Sequence, residues 1–479
     1  MNALASMALA MTALGIGDGA AVAAIGDGAA LTAITTPAPQ QDAAGLAAAV
    51  AAIATEPIGG GRAAGMTIAV VRAADTLLLE RYGLADVELD VPTPNGAVYE
   101  IGSVTKQFTA AAILLLQEEG KLSLDDDLSR WMPDYPLGGR RIPLRRLLDH
   151  TSGIKGYTEM PVFGPFTVQE LPRDSLVTVF SAEPFDFEPG DALIYNNSAF
   201  FLLGLIIEKA SGTTYEAFVE ERLFAAAGMT DSRYCHKDEL VPRRAKGYQP
   251  SADGLRPADY LNHLWPFSAG SLCSTATDLV RWNQALHGDG KGGDLLSAAS
   301  YRELITPGAL NDGTRVRYAK GLGITDRDGK VRIAHGGGIN GYLSELRYFP
   351  EDDLSIAVLI NTSGPVGPGA IADQIEDLVL GPVAPVVVRR FTGSTTPYLG
   401  SFRGASRGRR MTVTVSLGDG GELLVRQAGG GDPEPLRWLG GTTFGRGLTR
   451  YAFTLEEGEA RTLRIDQVAG LFVLERISG

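Results

Sequence analysis

The pattern with the clearest chemical meaning is Ser103-x-x-Lys106, which follows Gly102 and opens a mostly apolar stretch. Residues three apart on a helix share one face, so the pattern predicts that the Lys106 amine reaches the Ser103 hydroxyl. A serine becomes a nucleophile when a neighbour accepts its proton, and burial lowers the pKa of a lysine enough to help. Ser-x-x-Lys alone is weak evidence, because a helix-capping serine beside a solvated lysine gives the same pattern.

Two later segments carry matching chemistry. Tyr195 and Asn197 follow a Pro-Gly loop and precede another apolar segment. A phenol near a lysine ammonium ionises more readily and can act as a general base, while an amide can orient the lysine and a substrate carbonyl. The second segment ends a predicted strand, where missing side chains would let a substrate approach the backbone and an N–H complete an oxyanion hole. It consists of His335, Gly336, Gly337 and Gly338.

The order of the predicted elements indicates what positions these segments. Sheet, helices, sheet and a closing helix in this order predict an α/β domain with an inserted all-α subdomain. Periodicity and turn residues place the elements as strands near 66–71 and 76–83, a helix from 103 to about 119, mostly helices from 125 to about 285, strands between 332 and 360, and a helix near 371–380.

Beyond about residue 383 the composition changes to short strands with Gly-rich turns, which predicts a separate antiparallel β-barrel or curved sheet over 384–479. This module contains Gly404-Ala-Ser406-Arg-Gly408, which matches the G-x-S-x-G nucleophile elbow of α/β-hydrolases. An elbow needs a buried strand before its serine and a helix after it. Arginines surround Ser406 and strands follow it, so we predict a hairpin turn here.

Taken together, the three segments resemble the serine β-lactamase and penicillin-binding-protein superfamily, specifically the branch of class C β-lactamases, D-aminopeptidases and family VIII carboxylesterases. The resemblance covers about residues 42–380 and includes Leu147-Leu-Asp-His150-Thr-Ser-Gly153 and Ala269-Gly-Ser-Leu-Cys-Ser274. It implies a β-lactamase/transpeptidase-like fold over 43–383. The β module resembles the lipocalin-like C-terminal domain that some of these peptidases carry, where it can border the active-site entrance.

The same resemblance implies the catalytic roles. Ser103 would be acylated, Lys106 and Tyr195 would move its proton, Asn197 would orient them, and the N–H groups of Ser103 and Gly338 would polarise the scissile carbonyl. The glycine-turn segment at 270–271 and the segment at 150–151 look structural in that family, and both are left outside the predicted site.

The predicted function is therefore a serine hydrolase that cleaves amide or ester bonds of small molecules or short peptides, including peptides with D residues. His335 stands where class C β-lactamases usually have the lysine of Lys-Thr-Gly, so the cation for a substrate carboxylate is weakened or absent, which speaks against efficient β-lactam hydrolysis. A carboxylesterase is the close alternative. A β-lactamase or a non-catalytic penicillin-recognising sensor is less favoured.

Composition restricts the other classes. A net charge of −13 argues against a nucleic-acid partner, and five histidines without His-x-x-x-His spacing give no metal site, so no cofactor is predicted. The two cysteines, Cys235 and Cys273, could pair in an oxidising compartment, and the sequence leaves this open. No segment has the apolar length of a membrane-spanning helix. The oligomeric state is open.

The first 42 residues differ from the rest in being rich in Ala, Gly and Thr. They contain no Lys or Arg, so they have the apolar stretch of a signal peptide without its basic start. We predict a signal-like or disordered tail and a periplasmic or secreted enzyme, with a cytoplasmic one as the alternative.

Overall fold

A computed structural model describes residues 43–164, 166–236, 238–384 and 390–477. The predicted tail over 1–42 lies outside the described residues. The helices are α1 (Ala43–Gly59), α2 (Thr105–Glu118), α3 (Leu128–Trp131), α4 (Leu144–Leu148), α5 (Arg173–Ser181), α6 (Asn197–Ser211), α7 (Tyr215–Val219), α8 (Ala225–Ala227), α9 (Ala276–His287), α10 (Ala298–Ile305) and α11 (Pro368–Leu380).

The strands within the described ranges form four sheets. In chain order they are β1 (Gly65–Arg72), β2 (Asp75–Asp86), β3 (Val91–Pro92), β4 (Tyr99–Glu100), β5 (Leu193–Ile194), β6 (Arg233–Tyr234), β7 (Tyr248–Ser251), β8 (Gly254–Pro257), β9 (Leu272–Ser274), β10 (Gly323–Arg327), β11 (Lys330–Ile339), β12 (Tyr342–Phe349), β13 (Leu354–Ile360), β14 (Gly400–Ala405), β15 (Arg410–Leu417), β16 (Leu423–Gln427), β17 (Glu434–Pro435), β18 (Arg437–Gly440), β19 (Thr443–Arg446), β20 (Thr449–Glu456), β21 (Glu459–Asp466) and β22 (Gly470–Ile477).

The main sheet joins strands from both ends of the catalytic region. Its order is β10-β11-β12-β13-β1-β2-β3, with antiparallel neighbours. Strand β13 is buried along its whole length, because α9 and α11 both pack on it. The predicted α/β arrangement is thus confirmed, since β1 and β2 precede the helical region and β10 to β13 follow it.

The region between them holds α2 to α10, as expected, but it is less helical than the sequence indicated. Strands β4, β9 and β6 form a small sheet, and β7 pairs with β8. Strands of two to four residues are too short to show a periodic pattern, which is why they escape a sequence reading. The small sheet matters for the site, because β4 ends directly before the turn that carries Ser103.

The long helices α2 and α6 form the centre of this region. Every residue over 105–114 of α2 and over 198–207 of α6 is buried, so both helices lie inside the protein. Gly204 permits the close packing of α6, because a Cβ there would lie 2.1 Å from the Ser268 hydroxyl oxygen. In the part of the chain that the structure describes, no helix is long and apolar enough to span a bilayer.

The C-terminal strands form one strongly curved antiparallel sheet that is nearly closed. Its order is β17-β16-β15-β14-β22-β21-β20-β19-β18, so the first and last strands come from neighbouring parts of the chain. Its apolar side chains, among them Phe402, Phe453 and Leu463, form a core that Ala192 and Ile194 of the catalytic region complete. The predicted barrel-like module is confirmed.

This module is joined to the catalytic region by strand pairing and by a common hydrophobic core. Strand β22 pairs with β5, with Leu471 opposite Leu193 and Gly470 opposite Ile194. A second, mixed core contains Leu193 and Leu471 together with Tyr195. The residue after β5 is Tyr195, so the C-terminal module supports the strand that presents a predicted catalytic side chain.

Cys235 and Cys273 form a disulfide, with 5.4 Å between their Cα atoms. Cys273 lies on β9 and Cys235 directly follows β6, so the bond links two hydrogen-bonded strands of the small sheet. The sequence left it open whether these two cysteines pair, and the structure shows that they do.

Candidate active site

Ser103 lies on a single turn of 3-10 helix, Gly102–Val104, that leads into α2. Gly102 has a φ of +50°, which favours glycine, and a Cβ there would lie 2.8 Å from the Gly338 nitrogen. A Cβ at Gly337 would lie 2.1 Å from the Ile101 carbonyl oxygen. Glycines on both sides therefore let the backbone of β11 lie directly against the serine turn.

The Lys106 side chain is fully buried beneath Ser103. Its Nζ lies 3.2 Å from the Ser103 Oγ, 2.7 Å from the Asn197 Oδ1 and 2.7 Å from the Ala269 carbonyl oxygen. Burial lowers the pKa of Lys106 well below its ordinary value, and the charge of Arg407 lowers that pKa further, while Glu159 opposes the change. The neutral amine is thereby favoured.

Those three contacts suit a neutral amine. The Asn197 Oδ1 and the Ala269 carbonyl can only accept hydrogen bonds, so they take both N–H groups of an uncharged Lys106. The remaining lone pair then faces the third neighbour, the Ser103 hydroxyl, and can accept its proton.

Tyr195 covers the other side of the serine. Its ring centroid lies 4.7 Å from the Lys106 Nζ. Burial raises the pKa of Tyr195, and interaction with the Ser103 hydroxyl and with Arg407 opposes that rise. The phenol oxygen is buried and forms no hydrogen bond of good geometry to any residue of the described ranges. It is therefore free to exchange a proton with a substrate or with Ser103.

Asn197 continues a polar chain away from Lys106. The neighbouring Asn196 caps α6, its side chain accepting a hydrogen bond from the Ala199 N–H at 2.9 Å, which leaves Asn197 available for the site. The Asn197 Nδ2 donates to the Thr158 Oγ1 at 3.1 Å, and the Thr158 hydroxyl donates to the Glu159 Oε2 at 2.9 Å.

His335 is neutral in this structure. Burial lowers its pKa to about 3, and the nearby Lys106 lowers that pKa as well. The His335 Nδ1 lies 2.6 Å from the Gly336 carbonyl oxygen, which can only accept, so Nδ1 carries the proton. Its Nε2 then accepts a hydrogen bond from the Tyr318 hydroxyl at 2.9 Å. A neutral His335 supplies no cation to the site, in agreement with the expectation from its sequence.

The structure thus brings together every predicted site residue. Ser103, Lys106, Tyr195 and Asn197 are linked by the contacts above, and β11 places 335–338 on the opposite wall. Their catalytic roles stay predictions.

Comparison with known proteins decides the family. The beta-lactamase family model matches residues 46–380. The chain belongs to the beta-lactamase family. It is an enzyme of the serine hydrolase superfamily, with D-aminopeptidases and penicillin-binding proteins among its relatives.

Three similar proteins illustrate this. Penicillin-binding protein 4* of Bacillus subtilis (strain 168) is 31% identical over 311 residues, which are 62% of this chain and 67% of that protein. A D-aminopeptidase of Brucella anthropi is 28% identical over 383 residues, covering 78% of this chain and 69% of its own. A crystal structure of the D-amino acid amidase from Ochrobactrum anthropi SV3, complexed with L-phenylalanine amide, superposes with a TM-score of 0.61 at 25% identity and covers 70% of this chain and 98% of that one.

Several residues of this beta-lactamase family site were missed by the sequence reading. The His150 ring lies 4.3 Å from the Tyr195 ring, centroid to centroid, although residues 150–151 were set aside as structural. Glu159 reaches the site through Thr158, and Arg407 comes from the C-terminal module with its guanidinium carbon 5.0 Å from the Tyr195 ring centroid. The sequence offers no periodic or motif signal for either charge.

The competing elbow motif is the turn between β14 and β15, as predicted. The Ser406 N–H donates to the Arg409 carbonyl oxygen at 2.8 Å, which closes the hairpin. No helix follows Ser406, because β15 begins at Arg410. The hairpin-turn interpretation is confirmed, but this turn also carries Arg407 into the site.

Proposed function

We propose that this enzyme hydrolyses amide bonds of short peptides or amino-acid amides, including those of D residues, through an acyl-enzyme on Ser103. The observation that carries the proposal is the set of Lys106 contacts. A buried amine with two acceptor-only neighbours and one hydroxyl neighbour is arranged to take the hydroxyl proton.

The reaction has two halves. In the first, Lys106 accepts the Ser103 proton while Oγ forms a bond to the scissile carbonyl carbon. The C–N bond then breaks, and the leaving nitrogen takes the proton through Tyr195, which leaves an ester on Ser103. In the second half, a water molecule gives a proton to the same groups and attacks the ester carbonyl. The bond between the carbonyl carbon and the Ser103 Oγ then breaks, the acid departs, and the proton from the water passes to Oγ.

The oxyanion of both tetrahedral states would lie between the N–H groups of Ser103 and Gly338. Support comes from the tight contact at Gly102 and Gly337, which keeps this part of β11 against the serine turn. A side chain at either glycine would separate the two donors.

The substrate class rests on the relatives and on His335. Relatives include D-aminopeptidases and a D-amino acid amidase by name. A neutral His335 gives no charged partner on β11 for the carboxylate of a β-lactam. We place the enzyme in the periplasm or outside the cell, a proposal that the Cys235–Cys273 disulfide supports because disulfides persist in oxidising compartments.

A substrate panel tests this proposal. We expect p-nitroanilides of D-amino acids to have a kcat/KM about 10- to 200-fold above their L counterparts, the range that pocket fit alone supplies. Nitrocefin should be a poorer substrate than the best anilide. The panel should also contain p-nitrophenyl esters, since a strong preference for esters with no anilide turnover would replace the amidase with a carboxylesterase. Nitrocefin as the best substrate would contradict the proposal.

The pH profile gives a second test. Lys106 must be neutral to act as a base, so kcat/KM should fall as the pH drops through its pKa. Arg407 lowers this pKa and Glu159 raises it. We therefore expect Arg407→Ala to move the acidic limb to higher pH and Glu159→Gln to move it to lower pH, on a neutral substrate.

Burial keeps His150 and His335 neutral and Tyr195 protonated, so these three groups should not create this limb. Burial also raises the pKa of Glu159, and a limb that persists in Glu159→Gln would show that Glu159 does not create it. Arg409→Ala is the matched control, since Arg409 is exposed on the same turn as Arg407 and water screens its charge. Limbs that move in the same direction in both test variants would show that Lys106 is not the titrating base.

A further inference from the structure

The turn between β14 and β15 places one arginine of the C-terminal module inside the catalytic region. Gly408, with a φ of +63°, packs so closely on the 157–159 segment that a Cβ there would lie 2.5 Å from the Glu159 Cβ. The pairing of β22 with β5, and of β22 with β14, fixes the position of this turn relative to Tyr195. Arg407 is thereby held at the site by two strands and a close backbone contact.

Its guanidinium lies over the ring of Tyr195, with the carbon 5.0 Å from the ring centroid. The charge of Arg407 influences the pKa of Lys106, Tyr195 and Glu159, so its field covers the whole site. Glu159 is the acidic group on which this charge acts, and burial raises the pKa of Glu159, which favours its neutral carboxyl.

Apart from its contact with the Tyr195 ring, the guanidinium has no partner among the described residues. Among the residues that the structure describes, Arg407 forms no hydrogen bond and no ion pair, although its side chain is half-buried. Other arginines at the junction of the two modules are paired, as Arg464 is with Asp312, and Arg317 with Asp466 at 2.7 Å. A half-buried guanidinium whose five N–H donors are not used by the described residues is available to bind an anionic ligand.

We propose that Arg407 binds a carboxylate on the leaving group of the substrate, so that the preferred substrates are short peptides cleaved next to a C-terminal residue with a free α-carboxylate. The leaving side follows from Tyr195, which hands a proton to the departing nitrogen and whose ring contacts Arg407. The guanidinium fork matches a carboxylate in shape and charge. This inference rests on the proposed acyl-enzyme function and names the substrate class within it.

The cation that class C β-lactamases usually have at the position of His335 is then supplied from a different module. His335 cannot provide it, whereas the Arg407 guanidinium lies over the Tyr195 ring. Specificity would thus reside in the C-terminal module, while bond cleavage resides in the catalytic one.

The test compares two substrates that differ in one group. D-alanyl-D-phenylalanine and its C-terminal amide have the same scissile bond, and only the first has the carboxylate. At a pH on the plateau of the profile, we expect wild-type kcat/KM to favour the acid by about 10- to 100-fold, the usual contribution of a charge-assisted pair. In Arg407→Ala this ratio should fall to about one or below, and Arg407→Glu should favour the amide.

Arg409→Ala is the matched control and should keep the wild-type ratio, because it removes an exposed arginine from the same turn. Binding of both dipeptides to the Ser103→Ala protein, measured by calorimetry, gives the same ratio without turnover. A wild-type ratio near one by both measurements, or a ratio unchanged in Arg407→Ala, would overturn the inference.

Labelling of the wild-type protein by a fluorophosphonate separates this failure from failure of the proposed function. Ser103 labelled with no preference for the acid rejects only the role of Arg407. Ser103 unlabelled rejects the acyl-enzyme itself.

Discussion

Replacing Ser103 by alanine should abolish both covalent labelling by a fluorophosphonate and turnover of every substrate in the panel. The loss can reach about 10⁶-fold in kcat, because nucleophile and base act as one unit and little catalysis survives without either. The structure gives the reason: the Ser103 Oγ is the hydroxyl that the Lys106 amine contacts, at 3.2 Å.

Intact-protein mass spectrometry should show one adduct on the wild-type protein, and peptide mapping should place it on Ser103. Ser406→Ala is the matched control, since Ser406 is the serine of the alternative motif and forms the hairpin turn near the site. It should label and turn over like the wild type. An adduct on Ser406, or activity that survives in Ser103→Ala, would remove the assignment.

The parts of the site differ in how well they could be predicted from the sequence. Ser103 and Lys106 are one helical turn apart, so a local pattern was enough to predict their contact. Tyr195 and the glycines of β11 could be assigned to the same site only through resemblance. Asn197, two positions after Tyr195, is 91 positions from Lys106, and no local rule covers such a separation.

Arg407 and Glu159 could not be assigned to the site from the sequence. Four arginines around Ser406 favour an exposed turn, and the turn exists, but its approach to Tyr195 depends on the pairing of β22 with the two residues of β5. A two-residue strand has no recognisable pattern, so neither the pairing nor the position of Arg407 was predictable. The same reason explains the disulfide: Cys235 and Cys273 are brought together by β6 and β9, which have two and three residues.

That the C-terminal module folds independently of the catalytic region stays a prediction. The described residues over 390–477 form most of one sheet and of one hydrophobic core, as expected of a module, although Ala192 and Ile194 of the catalytic region also belong to that core. They also complete the core around Tyr195 through Leu471. The catalytic region therefore depends on the C-terminal module at the residue where the chemistry is proposed, which a boundary drawn from composition does not reveal.

Lys106→Met and Tyr195→Phe should each lower kcat by about 10²–10⁴-fold, the usual contribution of general acid–base catalysis. We expect the two losses to differ with the leaving group. Lys106 accepts the serine proton before any bond breaks, so its loss should affect p-nitrophenyl esters and p-nitroanilides alike. Tyr195 protonates the leaving atom, which an anilide needs and a p-nitrophenolate does not, so Tyr195→Phe should affect anilides more.

Kinetics on both substrate types, with circular dichroism to verify folding, would measure this difference. Tyr157→Phe is the matched control, because Tyr157 is also a buried phenol but donates to the Trp265 carbonyl rather than facing Ser103. It should lower stability by about 1–3 kcal/mol through the unpaired carbonyl, while kcat stays near the wild-type value. Equal losses on esters and anilides in Tyr195→Phe would show that this phenol acts on Ser103 and not on the leaving group, and near-wild-type turnover in Lys106→Met would remove the lysine from the mechanism.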